Sequence, residues 1–279
     1  MRMMITIVLI FLLPVCLFAG DFEEGQAAYK ADDYKKAAEL FGKAAELGLA
    51  KAQYRLGLMY YRGAGIRMNI KEVLKWFGKA AEQGNVEAQI KLGEMYERGR
   101  GVKPDSAESL KWYLMAAEQG NLLAQTNVGM IYHSRKDYKE SFKWNLKAAE
   151  QGDAQAQILV GSMYSMGKGV MQDTKEGKNW FLKAAEQGDT SAQLIIGNMY
   201  CEGKIIPQDY VQAYMWCDLA YFGSDDFIVF KDARDKAASK MTPAQIEEAK
   251  KLSREKAAEI EKRNTSNGKT VVDSLEVPR

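Results

Sequence analysis

The chain has 279 residues, 47% hydrophobic and 27% charged, the proportions of an ordinary folded protein. Its 39 Lys and Arg against 37 Asp and Glu leave a net charge of +2, without the basic excess of a nucleic-acid binder. One histidine and three cysteines are too few for a zinc site of the usual composition, and no metal or cofactor is expected.

Arg2 precedes an apolar run over residues 3–17, and Leu17-Phe18-Ala19 offers a small-residue cleavage site. Residues 1–19 therefore read as a secretory signal, the mature chain beginning near Gly20 and ending up periplasmic or secreted. Two other readings stay open. The run is short for a retained anchor, which needs about 20 residues. Leu13-Pro14-Val15-Cys16 is close to a lipoprotein signal, but Val15 is large for the position before the cysteine, which counts against anchoring at Cys16.

Residues 20–48 predict a first helix hairpin, in which Ala28-Tyr29, Asp33, Leu40 and Lys43-Ala44-Ala45 share the frame of the later hairpins. From there the chain repeats itself. Lys-Ala-Ala-Glu-Gln-Gly or a near copy ends at Gly48, Gly84, Gly120, Gly152 and Gly188, in steps of 36, 36, 32 and 36 residues. All five tryptophans, Trp76, Trp112, Trp144, Trp180 and Trp216, fall in one slot of that frame. A period of this size predicts a solenoid, in which each unit buries its apolar face only against its neighbours. The five units run over 49–84, 85–120, 121–152, 153–188 and 189–223.

Each unit predicts two helices. The first starts at Ala52, Ala88, Ala124, Ala156 or Ala192, with an aliphatic residue four positions on and a tyrosine eight positions on, a one-face spacing. A glycine in mid-helix (Gly57, Gly93, Gly129, Gly161, Gly197) points to close approach of a neighbouring helix. The second helix opens at Asn69, Asp105, Asp137, Asp173 or Asp209, each followed three residues later by Glu or Gln, a capping-box spacing. It stops at the glycine of the repeated phrase, after which Asn85, Asn121, Asp153 or Asp189 caps the next helix. The tryptophans, at helical spacing, read as core between helices.

After Gly223 the pattern changes. Residues 227–239 predict one helix, and Thr242-Pro243-Ala244-Gln245 opens another whose stripe is Ile246, Ala249, Leu252, Ala257 and Ile260. The segment 224–263 is expected to cap the array, and 264–279 to be a disordered tail. Cys201 and Cys217 sit about three helical turns apart along the last hairpin, which favours two partly buried thiols over a mutual disulfide.

The motifs Ala-x-x-x-Leu-Gly-x-x-Tyr, Gly-x-Gly and Trp-Tyr-x-x-Ala-Ala-Glu-Gln-Gly resemble Sel1-like repeats, relatives of tetratricopeptide repeats. Residues 88–120 and 156–188 are near-complete copies, and the shorter hairpins 20–48 and 121–152 are closer to the tetratricopeptide form. Met241-Thr242-Pro243 also resembles the ending of exported bacterial members. The resemblance implies an all-α fold, an α/α solenoid acting as scaffold or adaptor, and no single ligand.

Slots two, six and nine after the alanine vary between units. They hold Tyr54, Leu58 and Tyr61; Ile90, Glu94 and Glu97; Thr126, Met130 and His133; Ile158, Ser162 and Ser165; Leu194, Asn198 and Cys201. Their spacing puts them on one helical face, apart from the Leu/Tyr packing face. In the related tetratricopeptide hairpins the matching face lines the concave groove, so these residues are the candidate partner-binding set; the alternative is that they are unconstrained solvent positions.

Catalytic signals are poor. His133 falls in a variable slot, Ser165-Met166-Gly167-Lys168 has no Lys-Thr-Gly to follow it, and Gly268-Lys269-Thr270 lacks the upstream glycine of a phosphate loop. The leading expectation is an exported, monomeric, non-enzymatic scaffold for a protein or peptide, without nucleic acid or a membrane domain. The rivals are a weak β-lactam-binding or β-lactamase-like enzyme and a purely structural envelope protein. The exported Sel1-like proteins discussed as penicillin binders carry a cysteine pair in every repeat, which this chain lacks.

Overall fold

The computed structural model describes residues 20–223 and 227–266. The expected signal segment with Cys16, and residues 267–279 of the expected tail, lie outside the described residues. Every described element is a helix. They are α1 (20–30), α2 (Tyr34–Glu46), α3 (Ala50–Arg62), α4 (Ile70–Glu82), α5 (Val86–Arg98), α6 (Ser106–Glu118), α7 (Leu122–Ser134), α8 (Tyr138–Glu150), α9 (Ala154–Met166), α10 (Thr174–Ala185), α11 (Thr190–Glu202), α12 (Tyr210–Phe222), α13 (Phe227–Ala238) and α14 (Pro243–Ser266). They pair as consecutive hairpins, the α/α solenoid that the period demands. The chain falls into two compact units, 1–128 and 129–279, whose boundary lies inside α7.

Local chemistry starts and stops each helix. Asn85, Asp153 and Asp189 accept the backbone N–H three residues on at 2.7–2.9 Å, and Asn69, Asp105, Asp173 and Asp209 cap the second helices likewise. The glycine of the repeated phrase takes a positive φ, 87° at Gly84, and reverses the chain.

The reciprocal half of the capping box is not formed at these second helices. The N–H of Asp105 donates to the carbonyl of Tyr96 at 2.9 Å, and those of Asn69, Asp137, Asp173 and Asp209 donate to Tyr60, Tyr132, Tyr164 and Tyr200. A carbonyl from the partner helix thus replaces the glutamate, which is free for other work. Glu72 accepts the indole N–H of Trp76 at 2.9 Å. In later repeats Glu108, Glu140 and Glu176 engage Lys111, Lys143 and Asn179 instead, and the indole N–H groups of Trp112, Trp144 and Trp180 have no acceptor. The full box does form at Thr242 and Gln245, which exchange bonds of 2.9 and 3.3 Å at the start of α14.

The core follows the tryptophan frame. All five tryptophans are between 2% and 7% exposed. The residue after each of them lies over the mid-helix glycine of its hairpin. A Cβ on Gly93 would sit 2.7 Å from the Tyr113 ring, and one on Gly57 would sit 2.5 Å from Phe77. Gly161 faces Phe181 and Gly197 faces Cys217 in the same way. The glycines accept a helix-propensity penalty to let a side chain into contact with helix backbone.

A buried glutamine row joins successive hairpins. Gln53, Gln89, Gln125, Gln157 and Gln193 follow the alanine of each first helix and are 1–4% exposed. Each Nε2 donates to a carbonyl near the end of the preceding helix: Ala45, Ala81, Ala117, Ala149 and Ala185, at 2.9–3.2 Å. Three of the side-chain oxygens accept from the glutamine of the repeated phrase, Gln83 to Gln53 at 2.7 Å, and Gln119 to Gln89 and Gln187 to Gln157 at 2.8 Å. A buried amide costs about 1–3 kcal/mol if left unpaired, so these bonds impose one stacking register.

At the end of the array, α13 and α14 close over α12. Arg234 reaches the 6%-exposed Asp218 at 3.5 Å, and Lys256 and Arg263 bind Glu186 at 3.6 and 3.1 Å. Helix α14 continues to Ser266, so residues 264–266 of the expected tail are helical.

Candidate interaction face

The variable slots do not form a face separate from the packing. In unit 1, Tyr54, Leu58 and Tyr61 of α3 are half-buried against the cluster of Val73, Phe77, Ala88, Leu92 and Met95. Tyr54 stacks on Phe77 with ring centres 5.6 Å apart. Burial pushes its phenol above the ordinary tyrosine range, with the Lys91 ammonium working in the opposite direction. Tyr61, Phe77, Lys91, Glu94, Met95 and Arg100 surround a cavity of 50 Å³, and Lys91 binds Glu94 at 2.8 Å. Ile90 and Glu94 are half-buried; Glu97 is exposed and accepts the Tyr113 hydroxyl at 3.1 Å. Half-buried Thr126 donates to the Leu123 carbonyl. The expected separation from the packing face fails because α3, α5, α9 and α11 each pack on their own second helix and on the second helix before it, which uses most of the circumference.

In unit 2, Met130 and His133 are exposed, and His133 meets the edge of Tyr138 at 5.3 Å. Ile158 is half-buried beside Phe181, Ala192 and Ile196. Ser162, Ser165, Leu194 and Asn198 are half-buried as well. Asn198 joins Ile195, Met199 and Glu202 around a 220 Å³ hollow. Cys201 departs from the expected set. It is 7% exposed and covered by Ala213, Tyr214, Ala237 and Ala249, because the cap takes the place of a following repeat. Both cysteines are free and buried, and burial, helped by Cys201, pushes the Cys217 thiol up to about 12.

The Ser-x-x-Lys spelling does not become a site. The Ser165 hydroxyl donates to the Gly161 carbonyl at 2.8 Å, and Lys168 lies over the Tyr138 ring. The serine proton is committed to a backbone oxygen, with no base paired to it. Among the described residues there is no group of His, Cys, Asp or Glu able to hold a metal.

A larger concavity lies where sequence reasoning placed nothing. Between α12 and α14 a 790 Å³ cavity is lined by Gln193, Asp218, Leu219, Phe222, Gly223, Ser253, Ile260 and their neighbours. The signal for it was available: Gln83, Gln119, Gln151 and Gln187 each stand seven residues after a tryptophan, but Gly223 stands seven after Trp216.

The Sel1 repeat profile matches residues 16–49, 50–85, 86–121, 122–153, 154–189 and 190–221. The chain belongs to the Sel1 repeat family. Among solved structures it is similar to the Sel1 repeat protein of Oxalobacter formigenes, with 29% identity and a TM-score of 0.68, over 84% of this chain and 99% of that one. It is also similar to c5321, a protective antigen of uropathogenic Escherichia coli with an SLR fold, at 31% identity and a TM-score of 0.67. That match covers 94% of this Sel1 repeat chain but 58% of the antigen, so the chain spans well under two thirds of it. No curated protein matches the chain significantly. No helix among the described residues is long and apolar enough to cross a membrane.

Proposed function

We propose that this Sel1 repeat chain is an exported, monomeric, non-enzymatic scaffold that holds a protein or peptide segment against the first helices of its repeats. The observation that carries the reading is in unit 1. There α3 and α5 present Tyr54, Leu58, Tyr61 and Ile90 half-exposed, with Lys91 and Glu94 between them. Aromatic and aliphatic anchors beside a few charges are what dominates interface energy, and a solvated face has no use for them. The export reading rests on residues 1–19, and the similar E. coli protein's description as a protective antigen fits it.

The test is crosslinked capture from an exported fraction on the immobilised chain. Leu58→Ser with Tyr61→Ser should lose the captured partner. Tyr54 is left in place because it supports Phe77. A control at the exposed Lys111 of α6 should keep the partner. Equal capture by all three proteins removes the face assignment. Turnover of a chromogenic β-lactam that disappears in Ser165→Ala would replace the scaffold reading with an enzymatic one.

A further inference from the structure

The glutamine row ends on an unmade bond. In the repeats of Gln53, Gln89 and Gln157, a second glutamine donates its amide N–H to the side-chain oxygen at 2.7–2.8 Å. Gln193 still donates to the Ala185 carbonyl, but its Oε1 is buried without a partner, and the residue is 3% exposed. The donor's slot is taken by Gly223. Its backbone, at φ −88° and ψ 0°, matches Gln83 at φ −85° and ψ 7° and Gln119 at φ −79° and ψ 5°. Only the side chain is missing, and Gln193 and Gly223 both line the 790 Å³ cavity.

We propose that this cavity binds a ligand that supplies the missing group: a neutral primary carboxamide on a short apolar body. The carboxamide is argued from the three filled slots, where that group meets the same oxygen. Neutrality follows from the charges on the wall: the buried Asp218 is already paired with Arg234, and the exposed Arg254 and Glu261 are one of each sign. The apolar body is argued from Leu219, Ala257 and Ile260 on the walls and from Phe222, which is 74% exposed at the site. The buried Ser253, 4% exposed, adds a hydroxyl to the same wall. A carboxamide of this kind comes either as a free small amide or as a glutamine side chain in a peptide. The site is independent of the face on α3 and α5, and each stands or falls without the other.

The free arm titrates the full chain with hexanamide and with methyl hexanoate, which matches its length but has no N–H, followed by saturation-transfer NMR up to about 10 mM, the range that ligands of this size reach. Hexanamide should bind about tenfold more tightly than the ester, the value of a buried hydrogen bond near 1.4 kcal/mol. The peptide arm uses acetyl-Leu-Gln-Leu-amide against the same peptide with methionine for glutamine. Tighter binding of the glutamine peptide than of hexanamide assigns the peptide source, and the reverse assigns a free amide. Gly223→Gln, which supplies the donor from the chain itself, should abolish binding and raise the melting temperature. Its Cβ would meet the Thr190 methyl at 2.9 Å and the Leu219 carbonyl at 3.2 Å. Gln193→Met should bring hexanamide down to the ester's level, and keeps the proposal testable if Gly223→Gln fails to fold. Equal binding of amide and ester, no saturable binding of any probe, or binding unchanged in a folded variant overturns the proposal.

Discussion

Substituting Gly93 by alanine tests the packing rule of the repeat directly. In a helix exposed to solvent this change stabilises by up to about 1 kcal/mol. At Gly93 the new methyl would lie 2.7, 2.8 and 2.9 Å from three atoms of the Tyr113 ring. That ring is 0% exposed and held at its hydroxyl by Glu97, so it has little room to withdraw. Overpacking of this kind costs about 1–3 kcal/mol, which cancels or outweighs the gain. Gly78, inside α4, meets nothing within 4 Å and should show the full gain. Gly93→Ala should therefore melt about 2–12 °C below Gly78→Ala, taking roughly 2–4 °C per kcal/mol for a chain of this size. Circular dichroism melts of the two variants and the parent supply the comparison. On a Tyr113→Ala background the obstacle is gone, and Gly93→Ala should become stabilising. A Gly93→Ala protein that gains as much as Gly78→Ala would refute the close-approach argument.

Lys136 holds φ +63° in the shortened loop, a conformation costing a side-chain-bearing residue about 1 kcal/mol, so Lys136→Gly should raise the melting temperature by a few degrees while Arg135→Gly does not. Trp112→Ala should cost about 3–5 kcal/mol by urea denaturation, and Trp216→Ala a similar amount, because Leu252 of α14 packs on the Trp216 cluster; a much smaller loss at Trp216 would mean the cap does not support it. The backbone N–H groups of Glu108 and Ala107 hold the Asp105 carboxyl below the usual range. Its contribution is present above the unfolded value near pH 4 and lost as pH falls through the lower folded value. Between about pH 4 and pH 2 the parent should thus lose more melting temperature than Asp105→Asn, and parallel acid curves would contradict the cap's role.

The helices were legible because their signals are local. Asp105 is two residues from the N–H it accepts, and Gly84 turns the chain where it stands. The mid-helix glycines also gave themselves away, since only a close neighbour explains a repeated propensity penalty. What stayed hidden depends on partners carried by other helices. Nothing near Gln89 in sequence announces that Gln119 will meet it, and nothing near Asp105 says that Tyr96 will take its N–H from Glu108. The candidate face suffered most from this. Tyr54 looked free of the packing face until Phe77 came beneath it, and Cys201 looked like its counterparts until the cap covered it. Helical periodicity says which residues share a side, but not how many neighbours a helix must satisfy.

The glutamine row has a consequence for how such a chain changes length. Gln53 and Gln89 use the same groups in the same way, so the joint after one hairpin is interchangeable with the joint after the next. An aromatic joint cut to one shape would need compensating changes whenever a hairpin was inserted or lost. An amide joint needs none: excision of residues 85–120 would leave Gln83 and Gln125 flanking the seam with the same donors and acceptors. Gene duplication can therefore add or remove whole hairpins in a single step.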